Sequence, residues 1–303
     1  MITPAPLKKG DKIAIVSTAR KISEKEIQPA LKLFKEWGLE PILGKNLFAE
    51  YDQFAGTDEQ RLEDLQESIN NPDVKAIICA RGGYGTVKII DDVNFFTLIA
   101  HPKWIIGYSD VSVLLNKLSN MNIESLHATM PINFKENTEK SLKSLKRALF
   151  ANKTLEYEVK PHPFNRFGEV RSRLVGGNLS MLYSQLGSET ALKTDGKILF
   201  IEDLDEYLYH IDRMMLALKR AGYFNKLAGL VVGSMNQMND NKTPFGKDAY
   251  QIIKDVVAPY NFPVAFNFPA GHINDNRTLI FGRKATLSIE ENMTSLKFDH
   301  GPA

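Results

Sequence analysis

The sequence predicts an α/β protein with a parallel sheet in the first half of the chain and a strand-rich region in the second. In the first half, short apolar runs alternate with amphipathic helical patterns, as in a parallel sheet covered on both faces. Near the C-terminus, strand patterns at 278–281, 285–289 and 295–298 follow one another without intervening helices. This spacing is typical of an antiparallel or barrel-like sheet. With 303 residues, 43% of them hydrophobic, the chain is long enough for two domains.

The predicted elements of the first half are, in order, a strand at 13–16, a helix at 23–38, a weaker strand at 41–43, a helix at 57–70, and strands at 74–80 and 104–106. Ser23 begins the first helix through a capping box with Glu26, and Thr57 caps the second. The run 74–80 is continuous and rich in β-branched residues, as expected of a central strand buried on both faces. A glycine-rich loop follows it directly.

The second half begins after a stretch without periodicity. Proline, asparagine and glycine residues interrupt 151–173, which we interpret as a linker between domains at 1–150 and 174–303. The predicted elements beyond it are helices at 178–186 and 207–221 and strands at 198–201, 227–232 and 264–268, followed by the three C-terminal strands.

Composition excludes several classes of protein. The chain has 38 basic and 36 acidic residues, and this net charge of +2 produces no strong field for nucleic acid or a membrane surface. The single cysteine, Cys79, lies in an apolar run and cannot form an intramolecular disulfide. The N-terminus lacks the apolar region of a signal peptide, and no segment approaches the roughly 18 apolar residues of a membrane span. We therefore expect a cytoplasmic protein that binds neither nucleic acid nor membrane.

Ser109 is a candidate nucleophile. It lies in Gly-Tyr-Ser-Asp, directly after the apolar run 104–106 and directly before a helical pattern. A strand that turns sharply into a helix with serine at the apex exposes the hydroxyl to a substrate and a base. A serine between a strand and a helix is also a common N-cap, so this segment alone leaves both interpretations open.

Two later segments supply candidate partners. Glu202 ends the strand 198–201 and opens a cluster of four carboxylates, which is either a charged loop, a metal site, or a rigid support for an imidazole. His272 lies in a turn rich in glycine, asparagine and aspartate after the strand 264–268, a common place for a general base. His127 is the only serious rival among the other histidines. Ser109, Glu202 and His272 together offer a nucleophile, an orienting acid and a base for amide hydrolysis.

The glycine-rich loop Arg81-Gly82-Gly83-Tyr84-Gly85 has three interpretations. It matches neither of the common phosphate-binding patterns, which disfavours a nucleotide site. In a second interpretation, the glycines let backbone N–H groups approach a reacting carbonyl. In a third, they serve only to turn the chain. If the substrate has a free C-terminal carboxylate, Arg81 is a candidate to bind it. The alternative is that Arg81 supports the loop by hydrogen bonds to carbonyl groups.

Five motifs in order, ICARGGYG, WIIGYSD, LVGGNLSML, ILFIEDLDE and PAGHINDN, resemble the LD-carboxypeptidases. This serine peptidase family includes muramoyltetrapeptide carboxypeptidases and microcin C immunity peptidases. The resemblance assigns the nucleophile to Ser109, the acid to Glu202 and the base to His272. It assigns the oxyanion hole to the backbone N–H groups of Asp110 and Gly83.

The resemblance also implies a flavodoxin-like N-terminal domain, a smaller β-rich and barrel-like C-terminal domain, a catalytic site between them, and a homodimer without a metal cofactor. Many members carry His-Gly-Pro where this chain has His127-Ala128-Thr129-Met130-Pro131, a departure in the expected substrate wall. The activity that the resemblance implies is metal-independent release of the C-terminal D-alanine from a murein tetrapeptide. Alternatives are hydrolysis of a peptidyl-nucleotide antibiotic or another acyl-amide, a flavodoxin-like binding protein without turnover, and a metal hydrolase that uses the acidic cluster.

Overall fold

The computed structural model describes residues 1–151 and 153–301 and contains two sheets. The first has six strands: β1 Lys12–Val16, β2 Glu40–Leu43, β3 Val74–Cys79, β4 Trp104–Gly107, β5 Ser125–His127 and β11 Leu279–Phe281. Their order across the sheet is β11-β5-β4-β3-β1-β2. Strands β1 to β5 run parallel, and β11 pairs antiparallel with β5. The predicted parallel sheet of the first half is confirmed.

Helices alternate with these strands, as predicted. They are α1 Glu24–Glu36, α2 Asp58–Asn70, α3 Thr86–Ile89, α4 Phe96–Ala100, α5 Ser112–Asn120 and α6 Glu139–Phe150. The Glu26 carboxylate accepts a hydrogen bond from the backbone N–H of Ser23 at the start of α1. Thr57 and Gln60 form the corresponding capping box of α2. In β3, five of the six residues are buried, which explains its uninterrupted apolar sequence.

The second sheet has seven strands: β6 Glu156–Val159, β7 Gly168–Asn178, β8 Ile198–Leu204, β9 Gly229–Asn236, β10 Val264–Ala265, β12 Lys284–Ile289 and β13 Thr294–Phe298. Their order is β10-β9-β8-β7-β12-β13-β6, parallel from β10 to β7 and antiparallel from β7 to β6. Its helices are α7 Leu179–Ser184, α8 Leu208–Arg220 and α9 Ala249–Val257.

This sheet corrects three details of the prediction. The segment 151–173 is not devoid of regular structure, because it contains β6 and the beginning of β7. Of the three C-terminal strands, only β12 and β13 pair with each other, while β11 crosses to the first sheet. In the described ranges, the sheet ends at β10 and β6 without pairing them, so the barrel-like sheet is open. The expected β-rich second region is confirmed, and the domain boundaries stay a prediction.

Successive side chains of strand β8 point alternately into the two hydrophobic cores of the protein. Ile198 and Phe200 lie in the larger core, which also contains the strands of the first sheet. Leu199 and Ile201 lie in a second core with helices α8 and α9. Successive strand residues point to opposite faces of a sheet. Glu202 lies two positions after Phe200 and therefore points to the same face, towards the first sheet. None of the helices within 1–151 and 153–301 is long and apolar enough to cross a membrane.

Candidate active site

Ser109 occupies a strained turn at the carboxyl end of the first sheet. The residue follows β4 and begins a short 3₁₀ turn at Ser109–Val111 that continues into α5. Its φ of 62° lies in the left-handed region that a side chain rarely adopts. Strain of this kind is characteristic of a serine held at the apex of a strand-to-helix turn. The sharp turn predicted from the sequence is therefore present.

His272 bridges Ser109 and Glu202. Its Nε2 lies 3.0 Å from Ser109 Oγ, and its Nδ1 lies 2.7 Å from Glu202 Oε2. Both distances are within hydrogen-bond range, and together they form the nucleophile, base and orienting acid arrangement of a catalytic triad. The three residues come from separate loops and strands, with Ser109 and His272 separated by 163 positions in the chain.

The loop that carries His272 is held rigidly against β8 and β9. The side chain of Asn236 donates to the His272 carbonyl at 3.0 Å, and the Gly271 N–H donates to Asn276 Oδ1 at 2.9 Å. A Cβ at Gly271 would lie 2.7 Å from Glu202 Oε2, so glycine is required for the loop to approach the carboxylate this closely. The imidazole is therefore positioned from its backbone as well as from Glu202.

The buried pair of Glu202 and His272 shifts both pKa values towards the charged forms. Burial raises the pKa of Glu202, but the attraction and hydrogen bond of His272 outweigh it and leave that pKa below the usual value. Burial lowers the pKa of His272, but the charge and hydrogen bond of Glu202 outweigh it and leave the pKa raised. Glu202 is fully buried and the His272 side chain is 14% exposed. The pair therefore favours an imidazolium, the state that a base reaches after it takes a proton.

The other carboxylates of the acidic cluster have separate structural partners. Asp203 accepts hydrogen bonds from the Asn178 side chain and from the N–H of Ser180 in α7, both at 2.9 Å. Burial and the charge of Glu202 raise the pKa of Asp203 to about 7. Asp205 accepts a hydrogen bond from the Asn239 side chain, and Glu206 is hydrogen-bonded to His210. No group of three or more potential ligands among His, Cys, Asp and Glu that could hold a metal ion occurs in the described part of the chain.

The glycine-rich loop lies against Ser109. A Cβ at Gly82 would be 3.2 Å from Ser109 Cβ, so this loop and the Ser109 turn are in contact. The Gly83 N–H has no hydrogen-bond partner among the described residues. The buried Asp110 carboxylate accepts a hydrogen bond from the Thr86 N–H at 2.9 Å. This role of the Asp110 side chain, which ties the loop to the Ser109 turn, was not predicted from the sequence.

Arg81 turns its side chain to the backbone. Its guanidinium donates to the Lys21 carbonyl at 3.2 Å. The pKa of Glu26 is lowered mainly by its hydrogen bonds with Ser23, and the nearby charge of Arg81 also contributes. These contacts correspond to the structural alternative considered for Arg81, and a role in substrate recognition stays a prediction.

His127 lies behind Ser109, His272 and Glu202 and makes no hydrogen bond to any of them. The ring is completely buried, makes no side-chain hydrogen bond with any described residue, and packs against Phe200 with ring centroids 4.9 Å apart. Burial lowers the pKa of His127 to about 4. Tyr108 packs against both His127 and His272, with centroids 5.8 and 4.9 Å away. His127 is thus neutral near pH 7 and supports the aromatic packing under His272.

The motif Val175-Gly176-Gly177-Asn178 brings the two sheets together at this site. A Cβ at Gly177 would lie 2.7 Å from Ser112 Cβ at the start of α5. The Asn178 N–H also donates to Ser112 Oγ at 3.0 Å. The end of β7 can therefore pack directly against the helix that follows Ser109. The sequence contained this signal as two adjacent glycines, but only the fold reveals what they approach.

Comparison with known proteins gives matches over both regions. Residues 13–128 match the model of the LD-carboxypeptidase N-terminal domain, and residues 171–287 match that of the C-terminal domain. The chain is 33% identical over 294 residues to a protein of Bacillus subtilis named "Probable murein peptide carboxypeptidase", covering 95% of this chain and 92% of that protein.

Two further relatives extend the comparison. The crystal structure of muramoyltetrapeptide carboxypeptidase from Oxalobacter formigenes superimposes with a TM-score of 0.87 at 28% identity, covering 96% of this chain and all of that one. The microcin C7 self-immunity protein MccF of Escherichia coli is 25% identical over 340 residues, covering 96% of this chain and 94% of that protein. With both domain models matched in order and nearly full-length similarity to these proteins, this chain belongs to the LD-carboxypeptidase family of hydrolases.

Proposed function

We propose that the protein is a serine carboxypeptidase that hydrolyses the bond between the L-centre of the diamino acid and the terminal D-alanine of a murein tetrapeptide. The observation that carries the proposal is the hydrogen-bonded chain from Ser109 Oγ through His272 to the buried Glu202. The relatives named as murein peptide carboxypeptidases support the choice of substrate.

In the proposed reaction, Ser109 Oγ attacks the carbonyl carbon while His272 Nε2 accepts the hydroxyl proton. The resulting oxyanion accepts hydrogen bonds from the N–H groups of Gly83 and Asp110. The intermediate collapses, the C–N bond breaks, and His272 returns the proton to the leaving D-alanine nitrogen. Water then attacks the acyl-enzyme by the same steps, releasing the tripeptide and restoring Ser109. Glu202 fixes the imidazole tautomer and stabilises its cation throughout.

The remaining expectations belong to the same proposal. We expect a flavodoxin-like domain at 1–150 that carries the nucleophile and a second domain at 174–303 that carries Glu202 and His272. The linker between them at 151–173 would then include β6 and the beginning of β7, which pair with strands of the second sheet. We also expect a cytoplasmic homodimer that needs no metal cofactor and binds neither nucleic acid nor membrane. The charge balance of the chain supports the last of these points.

Mass spectrometry tests the proposal. Purified protein with a chelator present should release one alanine from L-Ala-γ-D-Glu-meso-diaminopimelate-D-Ala and leave the matching L-Ala-terminated peptide almost intact. A pocket shaped for the D-residue would misplace the L-residue by about 1 Å, which costs roughly 10² in rate. Equal cleavage of both peptides would refute the stereochemical part. Activity lost with chelator would instead support a metal hydrolase.

The similarity to the microcin C7 self-immunity protein favours a second candidate, hydrolysis of a peptidyl nucleotide or related acyl-amide. The same triad serves both reactions. Turnover of a peptidyl nucleotide without release of tripeptide from the D-terminated peptide would select this candidate. Full function after Ser109→Ala would select a binding protein without turnover.

A further inference from the structure

We infer that Arg20 binds the C-terminal carboxylate of the substrate's leaving residue. The inference rests on the proposed function, because it concerns the residue that this reaction removes. Arg20 lies in the loop after β1, and the glycine-rich loop follows β3, the neighbouring parallel strand. The carboxyl ends of adjacent parallel strands meet at one edge of a sheet, which is where such sheets bind ligands.

The Arg20 side chain lies directly over Gly83 of the glycine-rich loop. A Cβ at Gly83 would be 2.7 Å from Arg20 Cγ and 2.9 Å from its Nε. Gly82, the preceding residue, contacts Ser109. Adjacent residues of a peptide are about 3.8 Å apart, so the carboxylate of a leaving residue must lie within about that distance of the scissile carbonyl. A cation beside Gly83 in the glycine-rich loop is therefore close enough to reach this carboxylate.

The charge of Arg20 is available to a ligand, as far as the described residues show. Its side chain is exposed and makes no ion pair or hydrogen bond with any residue in the described ranges. The adjacent Lys21 is paired with Glu50 at 2.6 Å. Arg81 donates to a backbone carbonyl and lies close to Glu26. A planar guanidinium with free donors is suited to a carboxylate, which it can bind through two parallel hydrogen bonds.

The backbone of Arg20 is fixed relative to the nucleophile. Its N–H bonds to the Gly82 carbonyl at 3.4 Å, and the buried hydroxyls of Thr18 and Thr86 are 2.8 Å apart. The Thr86 N–H in turn bonds to Asp110 in the Ser109 turn. The loop after β1 is thus connected to the nucleophile by a short, buried series of hydrogen bonds. The backbone of Arg20 is therefore fixed beside the glycine-rich loop, while its side chain is exposed to solvent.

The test compares a tetrapeptide with a free C-terminus and the same peptide with an amidated C-terminus. For Arg20→Ala we expect kcat/KM on the free acid to fall about 10- to 100-fold, the usual range for a lost charge-assisted hydrogen bond. The amide should be affected little, so the preference for the free acid should disappear. Arg20→Lys should recover part of it. Lys21→Ala removes a neighbouring charge and should keep the wild-type preference.

Binding to the Ser109→Ala protein separates this inference from the proposed reaction. Calorimetry should give tighter binding of the free acid than of the amide, and the difference should vanish when Arg20→Ala is added. If the wild type releases no D-alanine but this difference exists, the proposed function fails and the role of Arg20 stands. If Arg20→Ala keeps the preference for the free acid in either assay, or if no preference exists, the inference is wrong. Loss of the preference in Arg81→Ala alone would assign the carboxylate to Arg81.

Discussion

The two sheets contribute to the site in different ways. The first supplies Ser109 and the glycine-rich loop from the ends of neighbouring parallel strands, so short stretches of sequence define these parts. The second supplies Glu202 and His272, which are 70 positions apart and meet only because β8, β9 and the His272 loop are packed together. The conformation of Ser109 is a local property of the chain, whereas its hydrogen bond with His272 depends on packing between distant segments.

The largest effect should come from breaking the contact between the sheets. Ser109→Ala or His272→Ala should each cost about 10⁶ in turnover if the coupling resembles that of other triads. The double variant should lose no more than either single one, because the hydroxyl is not activated without its base. Rates of D-alanine release from all three variants test this. Losses that multiply in the double variant would show that the two residues do not act in one step.

The next effect distinguishes adjacent carboxylates on β8. Glu202→Gln should fold normally and lose on the order of 10⁴ in turnover, because the imidazole loses the acceptor that fixes its tautomer. Asp203→Asn should lose far less turnover, since Asp203 faces α7 on the opposite side of the strand. Asp205→Asn is the matched control: its φ of 58° is one that asparagine tolerates. A larger loss for Asp203→Asn than for Glu202→Gln would reverse the assignment.

Two glycine substitutions contrast the regions again. Gly82→Ala places a methyl group 3.2 Å from Ser109 Cβ, which should displace the nucleophile slightly and reduce turnover about 10-fold with little loss of stability. Gly177→Ala collides with Ser112 at the junction of the sheets and should lower the free energy of unfolding by about 1–3 kcal/mol. Urea denaturation and turnover should be measured on both. If Gly82→Ala mainly loses stability, the loop is structural rather than part of the site.

The pH dependence should report the pairing of His272 and Glu202. Because the pKa of His272 is raised above its usual 6.5, turnover should fall on the acid side at a pH above 6.5, where the base becomes protonated. In Glu202→Gln the attraction is lost, so this fall should move to lower pH. The profile of kcat/KM against pH for both proteins is the measurement. An unchanged or upward-shifted fall in the variant would contradict the pairing.

Turnover should rise with pH as His272 loses its proton, whereas the contribution of His272 to the free energy of unfolding should fall over the same pH range. The raised pKa of His272 contributes stability that is complete below 6.5 and is lost as pH rises through the folded-state pKa. The lowered pKa of Glu202 contributes stability that is complete above 4.5 and is lost as pH falls through its folded-state pKa. The pair therefore stabilises the fold most between about 4.5 and 6.5, below the range of full activity.

Sequence patterns predicted the parts of the molecule that depend on local rules. Apolar runs located β3 and β4, caps located α1 and α2, and a strand-to-helix turn located Ser109. The sequence analysis did not predict helix α9, although Asp248 and Gln251 form a capping box at its start. The surrounding sequence lacked the alternation of strand and helix patterns that located the earlier helices. The crossing of β11 to the first sheet and the approach of Arg20 to Gly83 depend on sheet order. No local pattern encodes sheet order, so these features required the structure.

The smallest effect tests whether the two regions unfold as one unit. Thr57 caps α2 in the first region and Asp248 caps α9 in the second. Replacing either by alanine should lower the free energy of unfolding by about 1 kcal/mol and leave turnover unchanged, since neither residue contacts the site.

Both variants should shift the same single transition, because the larger core joins Ile77 and Leu114 of the first region with Phe200 and Phe268 of the second. A cap lost anywhere in a cooperative unit lowers the stability of the whole unit. Urea unfolding followed by tryptophan fluorescence and by circular dichroism provides two probes; both tryptophans, Trp37 and Trp104, lie in the first region. If Thr57→Ala shifts only the fluorescence transition and Asp248→Ala shifts only a separate circular dichroism transition, the two regions are independent folding domains. The contact between Ser109 and His272 would then depend on how tightly the two domains dock, rather than on a shared core.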